Sequence, residues 1–365
     1  MKIECVKEKL VDAVAKAEKI TGKNLTLPVL SCILFEATKR DLIIRATNLD
    51  LGIEIKLPVK VDREGKVAVP GSIINSFLSH VSGKNITLEL VEGNVLVKTD
   101  FNTTVIKSLN PEDFPTIPSI EGEKIIKIPA KEVIKGIRSV WYSSALSSMK
   151  PELSSIYIHA EHDTIVFVAT DSFRLAEKRL VSKQAKEIGS ILIPVKNVQE
   201  IVRVLEGCEG EVEMAITKNQ ISFTYNGVYL TSRVVDGVFP DYKQIIPKGH
   251  KTHMTVLKQD VVNAMKIATI FSDKFNKLSL KALPSQKRFE LATKNADVGE
   301  NVNNLEAVAE GEDIEINFNY KYIMDCFQSI EADSVVFEFN GLNRPLVIRG
   351  IGDKTFMYLV MPINK

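Results

Sequence analysis

Apolar positions along this chain follow two periods, 3.6 and 2, that alternate in one recurring order. Val6, Leu10, Ala13, Val14 and Ala17 form a helical stripe, with Gly22 as its stop. Strand-like runs follow at Cys32–Glu36, Leu42–Ala46 and Gly52–Leu57. A second helix is predicted to begin near Pro70, burying Ile73, Ile74, Phe77, Leu78 and Val81. Strands Ile86–Leu90 and Val95–Thr99 then lead to Phe114-Pro115.

The middle of the chain repeats this order. A helix carries Val133, Ile134, Ile137, Val140 and Trp141, strands come at Ser155–Ala160 and Thr164–Ala169, and a helix near Pro194 presents Val198, Ile201, Val202 and Leu205. The last part repeats it again. Leu257, Val261, Ala264, Met265 and Ala268 predict one helix, and Tyr322, Ile323, Cys326, Phe327 and Ile330 the other. Strands Ser279–Ala282 and Arg288–Thr293 lie between them, and Val335–Asn340, Leu346–Gly350 and Phe356–Met361 follow. Ala46-Thr47, Ala169-Thr170 and Ala292-Thr293 each close a strand-like run, at an equal spacing of 123 residues. The segment ends keep step at Phe114-Pro115, Phe239-Pro240 and Met361-Pro362. An α+β chain of three tandem repeats is predicted, each a two-helix plus antiparallel-sheet unit, with bounds 1–120, 121–247 and 248–365.

Length supports this division, since 365 residues exceed what one core absorbs. The formal net charge is +1, so a polyanion site must be a local patch. Cys5, Cys32, Cys208 and Cys326 lie far apart, without metal or redox spacing, and read as buried hydrophobes in a reducing compartment. The start Met1-Lys2-Ile3-Glu4 has no signal-peptide core and no run reaches a membrane span, which predicts a cytosolic protein.

Candidate chemistry is sparse. His159/His162 and His250/His253 are His-x-x-His pairs without a convincing helix or third ligand. A metal-dependent hydrolase using them is one alternative, which stoichiometric zinc in the purified protein would favour. No phosphate-binding glycine loop or acid–base constellation stands out, so a non-catalytic protein is expected. Cations at Lys9, Lys16, Lys135, Arg138 and Lys266 fall mostly off the stripes of the first helices, and Lys84, Lys196 and Arg203 accompany the second helices. They are either solvated faces, with Asp12, Glu18 and Glu200 interspersed, or a surface that meets phosphates without reading sequence. The end Tyr358-Leu359-Val360-Met361-Pro362-Ile363 is too apolar to fray, and reads as a last strand or as the lining of a peptide groove.

Four stretches in this order resemble the bacterial DNA sliding clamps, the β subunits of DNA polymerase III. They are Leu27-Pro28-Val29-Leu30, Ala169-Thr170-Asp171-Ser172-Phe173-Arg174-Leu175-Ala176, Val235-Asp236-Gly237-Val238-Phe239-Pro240-Asp241-Tyr242 and Val360-Met361-Pro362-Ile363. The resemblance implies three similar domains per chain and a head-to-tail homodimer closed around double-stranded DNA. Size agrees with two chains. A 120-residue domain has a radius of gyration of about 14 Å, so three in a ring leave a hole of about 5 Å and six leave about 35 Å.

What the resemblance implies for single residues is specific. A groove between the second and third domains would receive short peptides from the replicative polymerase's catalytic subunit, the clamp loader, other polymerases, ligase and mismatch-repair proteins. Its positions match Leu153, Thr170, Arg174, Leu175, Pro240 and Ile245, the apolar side chains supplying the anchor pocket and the polar ones fixing the peptide's orientation. Phe275, Asn319, Tyr322 and Pro345 extend it, and Leu359, Val360, Met361, Pro362 and Ile363 complete it. Ile106, Ile270 and Phe271 match the joint between chains, and Lys9, Lys16, Lys23, Lys84, Lys135, Arg138, Lys196, Arg203 and Lys266 would face DNA. No cofactor and no metal are implied. Family patterns often show Gly-His where Ser172-Phe173 stands here, and a basic residue at Gln244. A repeat-built scaffold that binds only proteins is the other alternative, and it would show no difference between nicked circular DNA and the same DNA linearised.

Overall fold

The structure, a computed structural model, describes residues 1–22, 26–120, 125–147 and 149–363. Two compact units compose it: Met1–Ile134 with Lys196–Val234, and Lys135–Val195 with Val235–Lys365. Six α-helices occur among the described residues: α1 (Lys7–Ile20), α2 (Gly71–His80), α3 (Ala130–Arg138), α4 (Val195–Leu205), α5 (Lys258–Ile270) and α6 (Tyr320–Cys326).

In the first unit an eight-stranded antiparallel sheet runs, neighbour to neighbour, through Ile125–Pro129, Glu211–Ile216, Gln220–Tyr225, Val228–Arg233, Leu51–Pro58, Asp41–Thr47, Cys32–Ala37 and Gly65–Pro70. A second sheet orders Lys60–Arg63, Lys2–Val6, Asn85–Val91, Asn94–Lys98 and Thr103–Ile106. Helix α1 buries Leu10, Ala13, Val14 and Ala17 of the predicted stripe, and Ile20 as well. Val6 departs from that stripe: it ends a strand and is 39% exposed. Ile73, predicted buried in α2, is also exposed, whereas Ile74 and Leu78 are buried.

The second unit has a nine-stranded antiparallel sheet in the order Ile191–Pro194, Ser155–Glu161, Thr164–Thr170, Arg174–Val181, Phe356–Val360, Leu346–Gly350, Ser334–Phe339, Thr252–Leu257 and Val308–Glu310. A four-stranded sheet orders Gly299–Glu306, Arg288–Asn295, Lys277–Leu283 and Ile314–Asn319. Helix α5 buries Val261, Ala264, Met265 and Ala268, while Leu257 ends a strand and stays exposed. Trp141 lies beyond α3 in a short 3-10 turn.

Both large sheets join repeats that are far apart in sequence. Leu51–Pro58 pairs with Val228–Arg233, with Gly52 opposite Thr231. Arg174–Val181 pairs with Phe356–Val360, with Leu175 opposite Leu359. These first and second joints are the same construction. Each follows a hairpin in which a threonine faces the joint residue, Thr47 opposite Gly52 and Thr170 opposite Leu175. The hairpin turns match in detail. Thr47 Oγ1 donates to the Leu51 carbonyl and Thr170 Oγ1 to the Arg174 carbonyl, each at 2.7 Å. Leu49 at φ 76° and Ser172 at φ 79° hold the same left-handed position.

Candidate functional site

The second joint carries the largest cluster of predicted site residues. Leu175 and Leu359 face each other across it and sit in one buried cluster with Val168, Phe239, Tyr242 and Met357, against which Met361 packs. Leu153, Thr170, Val360 and Pro345 are buried as well. After the last strand, the Met361 N–H donates to the Phe173 carbonyl and the Ile363 N–H to the Asn317 carbonyl, both at 2.8 Å. These bonds lay the terminal segment across the surface as a strap.

Two cavities flank the strap. One, of about 740 Å³, is lined by Phe275, Asn319, Tyr322, Met361, Pro362 and Ile363, with Phe173, Lys277 and Asn317 added. The other, of about 660 Å³, shares the strap and Phe173 and adds Glu315, Leu342 and Asn343. The sequence reading missed Asn317. Its signal is the alternation Glu315, Asn317, Asn319, which puts three polar side chains on one face of a strand. Phe173 and Phe275 are 61% and 65% exposed, so large apolar area is open beside the strap.

Arg174 borders this region as a neutralised cation. Its Nε is 3.0 Å from Asp171, its Nη1 is 2.5 Å from Asp325, and the guanidinium lies 4.4 Å from the Tyr322 ring centroid. Burial lowers its pKa, but Tyr358, Asp325 and Asp171 outweigh that, and the net shift is upward.

Pro240 and Ile245 are exposed and line neither cavity, while Phe239, Tyr242 and Ile246 of the same segment pack in the cluster of Leu175 and Leu359. Phe239 stacks on Tyr157 at 4.7 Å, and Tyr157 stacks on His159 at 4.7 Å. The Tyr242 hydroxyl donates to Glu177 Oε2 at 2.6 Å and lies 3.3 Å from His159 Nε2. His159 is thus a packed ring in a hydrogen-bond network. His250 and His253 meet edge to face at 5.0 Å. Among the described residues, no three His, Cys, Asp or Glu side chains are grouped to hold a metal ion.

Several predicted DNA-facing cations are engaged with carboxylates. Lys16 pairs with Asp12 at 2.5 Å, Lys135 with Glu331 at 2.8 Å, Lys196 with Asp50 at 2.6 Å and Arg203 with Glu200 at 2.6 Å. Lys9, Lys84, Arg138 and Lys266 are exposed. Lys23 lies outside the described residues.

Among the described residues, four open sheets have eight edge strands, and two of these bear on the joints. Thr103–Ile106 ends the five-stranded sheet and Gly299–Glu306 ends the four-stranded sheet. The repeat relates both to the joints. Thr293 faces Asn301 as Thr47 faces Gly52 and Thr170 faces Leu175, so Asn301 holds the joint position of the third repeat. Val105, which pairs with Leu96, lies on the last strand of the first repeat, the element that carries Thr231 in the second repeat and Leu359 in the third. Ile106 points into its sheet's core, Phe271 is half-buried, and Val105, Val302 and Ile270 are 60%, 53% and 64% exposed.

Comparison with known proteins agrees with this geometry. Profiles of the DNA polymerase III beta subunit match its N-terminal domain at residues 1–118, its central domain at 127–241 and its C-terminal domain at 243–364. The beta sliding clamp of a Synechocystis species is 25% identical over 388 residues, covering 100% of this chain and 99% of its own. That of Staphylococcus aureus is 24% identical over 356 residues, covering 95% and 94%. Among solved structures, the DNA polymerase sliding clamp of Bacillus subtilis superposes with a TM-score of 0.96 at 24% identity, over 100% of this chain and 99% of that one. The DNA polymerase III beta subunit of Thermotoga maritima gives 0.94 at 25%, with the same coverage. An α+β fold of three-domain clamp architecture, matched from end to end, makes this chain a member of the DNA polymerase III beta subunit family, the bacterial sliding clamps.

Proposed function

We propose that this chain closes head to tail with a second copy around duplex DNA and serves as a polymerase processivity factor. Its three domains span 1–120, 121–247 and 248–365. The observation that carries the reading is the unfilled third joint. Two joints within the chain pair a repeat's hairpin strand with the last strand of the next repeat. The same rule applied to Gly299–Glu306 and Thr103–Ile106 puts Asn301 opposite Val105 of a second copy and Val302 opposite its Thr104, with Ile270 and Phe271 beside them. Each contact is heterologous, and two of them close under a twofold axis.

The ring holds DNA by topology. Exposed Lys9, Lys84 and Lys266 supply phosphate contacts alongside Arg138, while Lys16, Lys135, Lys196 and Arg203, whose charges are shared with carboxylates, contribute less, which suits sliding. The strap and its cavities receive apolar peptide anchors from the replicative polymerase's catalytic subunit, the clamp loader, other polymerases, ligase and mismatch-repair proteins. The protein works in the cytoplasm and performs no catalysis of its own.

Cysteine cross-linking tests the closure. All four native cysteines are buried, so introduced surface thiols report cleanly. Directly opposed strand residues lie within disulfide reach, and those two positions away do not. Val302→Cys chains mixed with Thr104→Cys chains should form a disulfide dimer, and those mixed with Asn102→Cys chains should not. A monomeric native mass would overturn the ring. A dimer cross-linking at the displaced pair would overturn this register alone.

A further inference from the structure

The segment that carries Pro240 and Ile245, assigned to the groove wall by the proposed function, packs through Phe239, Tyr242 and Ile246 on the cluster of Leu175 and Leu359, and has no regular strand to hold it. It is a run of loop ending in the 3-10 turn Tyr242–Ile245. Two rings anchor it, Phe239 and Tyr242, and each is buried below one-tenth exposure. The Tyr242 hydroxyl ends on Glu177, a carboxylate only 6% exposed in the middle of the joint strand. Glu177 lies two residues beyond Leu175, so both side chains project from the same face of that strand.

The carboxylate is fully used. Its Oε2 accepts from Tyr242 at 2.6 Å and its Oε1 accepts from Arg179 Nε at 2.7 Å. Arg179 Nη1 donates onward to Glu161 Oε2 at 2.9 Å, and Lys243, the next residue of the segment, donates to the other oxygen of Glu161. A buried carboxylate this well satisfied is a rigid anchor.

The first joint is an internal control. It has a glutamate at the same position, Glu54, which faces Tyr229 as Glu177 faces Met357. Its linker residue three beyond Phe114 is Ile117, whereas Tyr242 stands three beyond Phe239. Ile117 has no hydroxyl, and Glu54 binds Arg45 at 2.6 Å instead. The cavity at that joint is about 80 Å³. The tyrosine–glutamate tie therefore belongs to the joint that has the large cavities.

We infer that Glu177 is the positioning residue of the peptide groove, holding the Pro240 and Ile245 wall in place through the Tyr242 hydroxyl. The inference rests on the groove reading above. It names a residue that touches no ligand and acts through another.

The test uses the full-length chain, Tyr242→Phe, Glu177→Leu and Glu177→Gln. Hydrogen exchange of amides in 235–246 is read beside exchange in Phe356–Val360. Affinity is read with a fluorescein-labelled hexapeptide bearing leucine and phenylalanine anchors, chosen for the apolar lining. Tyr242→Phe and Glu177→Leu should speed exchange in 235–246 at least tenfold and leave Phe356–Val360 unchanged. Both should weaken the probe at least fivefold. Glu177→Gln, whose amide oxygen still accepts the tyrosine proton, should stay within twofold of the parent chain. Unchanged exchange in Tyr242→Phe overturns the inference, and so does faster exchange with undiminished affinity. A parent chain that fails to bind the probe contradicts the groove reading instead, and the exchange arm still decides the role of Glu177.

Discussion

The first and second joints share strand pairing, turn chemistry and even a glutamate, yet among the described residues the second is flanked by cavities of about 740 and 660 Å³ and the first by one of about 80 Å³. The difference lies in what crosses each joint. At the first, Pro115, Thr116, Ile117 and Pro118 fold onto it, and Ile117 seats on Gly52 so closely that a Cβ there would come within 2.8 Å of its Cγ2. The Tyr229 hydroxyl seals the arrangement, donating to the Pro118 carbonyl at 3.1 Å and accepting from the Ile120 N–H at 3.2 Å. At the second, the position of Gly52 is taken by Leu175, and the crossing segment is held by its own tyrosine. The terminal strap then borders open apolar space. One joint has been made a seal and the other a groove by changes at a few side chains on one scaffold.

Truncation should separate the two most sharply. Removing the chain from Met361 onward deletes the strap, and the hexapeptide probe should lose about a hundredfold or more in affinity, close to 3 kcal/mol. The native mass should stay that of a dimer, and dissociation into monomers would contradict the assigned roles. Exchanging the joint residues comes next. Leu175→Ala should cost about 2–5 kcal/mol in urea unfolding as a buried leucine lost from a cluster. Gly52→Leu should cost about 1–3 kcal/mol by overpacking against Ile117. A neutral result in Gly52→Leu would mean that the first joint is not sealed.

Charge and pH give smaller effects. Lys9→Ala should weaken DNA contacts of the loaded ring at low salt more than Lys196→Ala, because Lys196 is already paired with Asp50. Equal losses would show that the Asp50 pair opens on DNA. Burial holds His159 below its ordinary 6.5, against the pull of Glu161. As pH falls through 6.5 the unfolded chain takes up this proton first, so the contribution of neutral His159 is complete above that pH and lost in acid. Burial raises the Glu161 pKa, but Lys243 and Arg179 outweigh it, so Glu161 adds a loss in the same direction below 4.5. Stability read by urea unfolding should therefore fall as pH is lowered from 7.5 to 5.5. His159→Phe should flatten that profile. Ser172→Gly relieves a left-handed serine and should add about 1 kcal/mol of stability, read by urea unfolding.

The repeat was legible because it is written twice, in apolar period and in turn chemistry. Ala46-Thr47 and Ala169-Thr170 close strands whose threonines make the same bond to the turn. The third copy is different: Thr293 Oγ1 donates to the Ala268 carbonyl, and its hairpin is longer. Short or polar strands escaped the reading. Lys60–Arg63 and Gly299–Glu306 bury too little to show an alternation, and Val6 was drawn into a helical stripe because strand and helix abut there. The groove residues came from resemblance, and their grouping around the strap is visible only in the fold. Glu177 was unreadable, since a glutamate between alanine and lysine looks like surface until its partners arrive from Tyr242 and Arg179.

Direct imaging of the assembled particle tests the central claim. Electron-microscopy averages of the native protein should show a two-chain closed ring whose opening admits duplex DNA. A particle without such an opening, or one chain thick, would contradict it.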